Sequence, residues 1–159
     1  MAQFVSLPKD RFFKYKKGCD TMVYTDEVRK KLDAILKAFE KYIDGQSYFD
    51  IVYSKKIGYV WILADYPGDA GAVVLDTPAK MLDRLFNELI NDVVNADENK
   101  THIPNTLTLS EWEANEVRRR IAALLEPLTE DKDCYLQFMD RYLKAYQENN
   151  GHIGEPDEI

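Results

Sequence analysis

Apolar positions along this chain change from a helical period to a strand-like one and back, and the changes predict its elements in order. From Val28, the residues Leu32, Ile35, Leu36, Phe39, Tyr42 and Ile43 recur at helical spacing and make one stripe. Thr25-Asp26-Glu27 opens that helix with a capping side chain and two acids suited to the positive end of its dipole, and Gly45 is expected to end it as a left-handed residue. Lys30, Lys31, Asp33, Lys37 and Glu40 lie off the stripe and read as a solvated face.

From Tyr48 to Ala64 the pattern becomes aromatic and β-branched, which predicts two antiparallel strands joined near Lys55-Lys56. A two-residue turn would place Phe49, Ile51 and Tyr53 on one face with Gly58, Val60 and Ile62, and that face is core. Asp50 and Val52 would share the other face with Tyr59 and Trp61, an aromatic surface bearing a carboxylate. Either a helix of this chain or a partner covers it. Pro67-Gly68-Asp69 then makes a turn, and Gly71 to Leu75 reads as a third strand.

Three further helices follow. Asp76-Thr77-Pro78 is a helix start, with proline at the first helical position, and Met81, Leu82, Leu85, Phe86, Leu89, Ile90, Val93 and Val94 give a broad apolar face. Asn95 to Leu107, with Pro104, reads as a loop. Ser110-Glu111-Trp112-Glu113 matches a capping box, ahead of the stripe Ala114, Val117, Ile121, Leu124, Leu125 and Leu128, with Pro127 marking the end. A last helix from Thr129 carries Tyr135, Phe138, Met139, Tyr142, Leu143 and Tyr146. The expected architecture is α+β: a small antiparallel meander of three or four strands packed against about four helices, as one domain over 1–148 with an acidic mobile tail at 149–159.

Composition changes this picture little. A chain of 159 residues buries roughly two thirds of the surface its unfolded form exposes, so it needs no staples. No apolar run approaches the roughly 20 residues of a membrane span, and Pro8, Lys9, Asp10 and Arg11 interrupt any secretory signal, so the expected location is the cytoplasm and no membrane partner is expected. The net charge of −7 argues against wrapping a nucleic-acid duplex.

Candidate chemistry is sparse. Cys19 and Cys134 are far apart and have no metal-ligand spacing, so thiols are expected; a Cys134 nucleophile would need His102 or His152 brought to it. Asp65 and Asp69 flank a turn without the ligand repeat of a calcium loop, and Gly68-Asp69-Ala70-Gly71 lacks the lysine of a phosphate loop. Arg118, Arg119 and Arg120 fan around a helix, where Glu116 can pair with Arg119 or Arg120. Arg11, Lys14, Lys16 and Lys17 interleave with Phe12, Phe13 and Tyr15, a mixture that suits single-stranded nucleic acid and equally an edge strand; the strand reading outweighs the contact.

Trp112 projects nearly opposite Val117, Ile121 and Leu124, so it either folds back over Leu107 and Leu109 or anchors a partner. These readings rank protein–protein interaction by an accessory, regulatory or inhibitory protein first, through Asp50, Tyr59, Trp61 and Trp112, with another protein or a second copy as partner. Nucleic-acid association through the basic N-terminal cluster ranks below it, beside a small-ligand binder or enzyme assembled only in three dimensions from Asp50, Asp65, Asp69, His102 and Cys134. No cofactor or metal is expected, and the balance leans away from catalysis.

Overall fold

A computed structural model of the chain describes residues 24–63, 72–97 and 109–148. The element order is α1 (Asp26–Asp44), β1 (Phe49–Ser54), β2 (Gly58–Leu63), β3 (Ala72–Val74), α2 (Pro78–Ala96), α3 (Glu111–Leu125) and α4 (Lys132–Glu148). The fold is α+β, with an antiparallel sheet in the order β1-β2-β3, as the patterning predicts. The chain divides into two compact units with a boundary at Pro78.

In the first unit, Thr25 caps α1 by accepting a hydrogen bond from the Val28 amide at 3.2 Å. The predicted stripe buries Leu32, Ile35, Phe39 and Ile43. Gly45 ends the helix in right-handed, not left-handed, geometry (φ −78°), and its amide bonds back to the Lys41 carbonyl. The helix therefore stops by continuing its own hydrogen bonding for one residue, and glycine's freedom is not used there.

The hairpin corrects the expected register. Ser54 pairs with Gly58, so the connection is three residues, Lys55-Lys56-Ile57, and every pairing shifts by one: Tyr53 opposes Tyr59, Ile51 opposes Trp61 and Phe49 opposes Leu63. Because side chains alternate across a strand, that single residue moves a whole set to the opposite face. Tyr59 and Trp61 thus share a face with Phe49, Ile51 and Tyr53, while Asp50 and Val52 lie with Val60 and Ile62. The aromatic face is the one α1 covers: Phe39, Tyr42 and Phe49 form a chain of rings with neighbouring centroids 6.4 Å apart.

Gly58 opens β2 at φ +83°, a conformation L side chains rarely adopt. β3 pairs antiparallel with β2 in the register Val60–Val74, Trp61–Val73 and Ile62–Ala72.

Pro78, at the boundary, occupies the first position of α2 as its sequence predicts, and the rest of that helix lies in the second unit. Phe86 of α2 meets Phe138 at 5.9 Å and Tyr142 at 5.6 Å, both on α4. The Tyr142 hydroxyl also donates to the Asp83 carbonyl at 3.2 Å, so polar as well as aromatic contact joins α4 to α2. The capping box at α3 forms in full: the Ser110 hydroxyl accepts from the Glu113 amide at 3.1 Å, and the Glu113 carboxylate accepts from the Ser110 amide at 2.7 Å. Glu113 is buried completely, a position tolerable for a carboxylate because it answers a helix-end amide. An ion pair between Arg118 and Asp140 at 3.2 Å links α3 to α4. Helix α4 starts three residues later than its composition suggests, since Thr129 to Asp131 form a turn.

Candidate functional site

The surface expected from Asp50, Tyr59 and Trp61 does not exist as one patch. Trp61 is only 6 % exposed and stacks on Phe49 with centroids 6.2 Å apart, so it is core. Asp50 sits on the opposite face of the sheet, exposed, where its carboxylate accepts the Ile51 amide at 2.7 Å. On an outer strand such a local bond occupies a backbone donor that would otherwise seek another strand.

Tyr59 is half-buried, and its hydroxyl donates to the Asp33 carboxylate on α1. Burial first, then the carboxylate beside it, pushes its phenol well above the ordinary tyrosine range. Asp33 also lies 3.9 Å from the Arg29 guanidinium, which stands over the Tyr53 ring at 4.8 Å. Tyr53 in turn meets Tyr59 at 5.0 Å and is 39 % exposed. Tyr53 is thus an exposed aromatic that the two-residue turn had assigned to the core. Its position, last of the Phe49, Ile51, Tyr53 alternation and beside the turn, was the available signal.

A second tyrosine with no periodic neighbours completes this end of the unit. Tyr24, just before α1, is buried and stacks on Tyr59 at 6.3 Å. Its hydroxyl accepts the Tyr59 amide at 2.7 Å and donates to the Leu75 carbonyl at 3.1 Å. Desolvation lifts its phenol to about 12. A lone aromatic ahead of a capping threonine carries no periodic signal, so sequence patterning passes over it.

On α3 the outcome is different. Trp112 is 55 % exposed, more than any other large apolar side chain among the described residues. At about 100° per residue, Trp112, Glu116, Arg119 and Ala123 fall on one side of the helix. Val117, Ile121 and Leu125 are buried on the other. Glu116 holds both neighbouring arginines: Arg119 bonds it in a two-pronged fork at 2.7 and 3.0 Å, and Arg120 reaches it at 2.8 Å. These bonds pull the Glu116 carboxyl down to about 2. The indole therefore stands beside an ordered charged cluster, on a helix whose start is fixed by the capping box. Leu109 is buried, but it does not take Trp112 out of solvent.

The remaining candidates are dispersed or outside the described residues. Cys134 is exposed on α4, while Cys19, Asp65, Asp69, His102 and His152 lie outside. So does the basic cluster Arg11, Lys14, Lys16 and Lys17, together with the Gly68 to Gly71 run and the 149–159 tail. Among the described residues no three His, Cys, Asp or Glu side chains gather to hold a metal ion, and no helix is long and apolar enough to cross a membrane. Comparison of the chain with protein-family models, with curated proteins and with solved structures finds no match to any of them.

Proposed function

We propose that this chain works by protein–protein contact, as an accessory or regulatory intracellular protein, with Trp112 as the anchoring side chain. The observation that carries the reading is the exposure of Trp112 on a helix whose opposite face is fully committed to its own core. Tryptophan and arginine dominate binding energy where they sit on ordered surfaces, since little conformational freedom is then lost on association. Here the Glu116 fork orders Arg119 and Arg120 before any partner arrives. Trp61 is buried and the Tyr59 hydroxyl is engaged by Asp33, while Asp50 stands exposed on the opposite face of the sheet, so the reading rests on Trp112.

The test is quantitative affinity purification with the wild-type chain and Trp112→Ala in parallel, followed by titration of the purified partner. Trp112→Ala keeps its helical circular dichroism, because the indole packs little in the monomer. Its affinity for the partner falls by at least about thirtyfold, the effect of losing a contact worth about 2 kcal/mol. Equal affinity in the two chains, no protein that distinguishes them, or retention of nucleic acid in place of protein would each overturn the reading.

A further inference from the structure

We propose that Tyr24 is a removable peg set between β2 and β3, and that the strand pair has a second, closed state in which the peg is withdrawn. The register places Tyr59 opposite Leu75, one step beyond the Val60–Val74 pair. In an antiparallel sheet a closely bonded pair exchanges two hydrogen bonds, amide to carbonyl in each direction. Only one of these is direct here, from the Leu75 amide to the Tyr59 carbonyl at 2.9 Å. The other is relayed: the Tyr59 amide donates to the Tyr24 hydroxyl, which donates to the Leu75 carbonyl. The phenol stands in for a missing backbone bond.

Gly58 makes room for the peg. A Cβ at this position would lie 2.6 Å from Cε2 of Tyr24 and closer still to its hydroxyl end, so the ring occupies the space any other residue would fill. With the ring withdrawn, the Tyr59 amide and the Leu75 carbonyl face each other in unchanged register and can bond directly. Both states satisfy every backbone group of the pair, which is what permits two states in place of a single fixed one.

The peg also has a reader. Tyr24 stacks on Tyr59, whose hydroxyl holds Asp33 on α1 and whose ring meets the exposed Tyr53. Withdrawal uncovers one face of Tyr59 and adds it to the Tyr53 and Arg29 surface. The state of Tyr24 thereby sets how much aromatic surface the first unit presents.

Amide hydrogen exchange measured at Tyr59 and Leu75 separates a peg from an ordinary buried tyrosine. The Leu75 amide is the internal reference, because its bond to the Tyr59 carbonyl does not involve Tyr24. Tyr24→Phe keeps the ring between the strands but removes the relay, so the Tyr59-to-Leu75 ratio of exchange rates rises at least about tenfold. Tyr24→Ala removes the ring as well, the direct bond closes, and the ratio returns toward the wild-type value even as global stability falls. Tyr24→Ser is a second ring-free variant for the same arm should the alanine chain fold poorly. A ratio unchanged in Tyr24→Phe, or raised as much in the ring-free variants, overturns the proposal.

Discussion

Replacing Gly58 by alanine perturbs two things at once, and their sizes can be worked separately. The first is local: a residue with a Cβ at φ +83° bears a strain of about 1–2 kcal/mol. The second is the clash with Tyr24, whose ring must leave its seat because the new methyl would meet its hydroxyl end. Displacement forfeits two hydrogen bonds, each worth about 0.5–1.5 kcal/mol net, although direct closure of the Tyr59–Leu75 pair recovers one of them. Exposing part of the ring adds about 1–2 kcal/mol. Glycine's greater freedom in the unfolded chain offsets about 0.5–1 kcal/mol in alanine's favour. The net expectation is a destabilisation of about 2–4 kcal/mol, a large share of the roughly 5–15 kcal/mol that holds a domain folded. Urea unfolding followed by circular dichroism measures it. In a Tyr24→Ala background the clash has no object, so the same substitution then costs only the strain less the unfolded-chain offset, about 1 kcal/mol. A Gly58→Ala chain within about 0.5 kcal/mol of wild type, or an equal loss in both backgrounds, would refute the reasoning.

Other substitutions test the same physical account elsewhere. Ser110→Ala removes half of the capping box and lowers stability by about 1 kcal/mol in urea melts, whereas Ser110→Asp, which can still cap, loses less. Tyr142→Phe loses the bond to the Asp83 carbonyl and about 1 kcal/mol, while Tyr135→Phe is nearly neutral, because the buried Tyr135 hydroxyl has no hydrogen-bond partner among the described residues. Glu116 has a folded-state pKa depressed to about 2, so the stability it brings is present above its ordinary value and disappears as pH falls through about 2. Thermal melts from pH 5 down to about 2 should therefore flatten in Glu116→Gln, and an acid limb identical to wild type would contradict the assignment.

Much of the architecture is legible in the residues because burial imposes a period. The four helices, the meander, the Thr25 and Ser110 caps and the placement of Pro78 all follow from spacing and end chemistry. Register does not follow so readily, since one residue in a turn decides it. Lys55-Lys56 offers no Asn-Gly or Asp-Gly signal, and Ile57 looks like strand while serving as a buried turn residue. Counting it in the strand exchanged the faces and joined Asp50 to Trp61. The decisive clue was Gly58, whose lack of a side chain fits its positive φ and the ring of Tyr24. Projection along one helix takes Trp112 off the Val117, Ile121 and Leu124 stripe, but that geometry does not decide between an indole folded back over the preceding loop and the 55 % exposed one that the structure shows. Gly45 shows the opposite hazard: a glycine at a helix end suggests a left-handed cap that the chain does not use.

The most direct test of Trp112 as a contact uses the chain's two tryptophans, one buried and one exposed. In a Trp61→Phe chain, which keeps an aromatic ring beside Phe49, Trp112 is the sole indole reporter. Acrylamide quenching of its fluorescence should be efficient in the isolated chain and fall several-fold when the purified partner is added at saturation. An indole shielded in the isolated chain, or one quenched as readily in the complex as alone, would contradict the account.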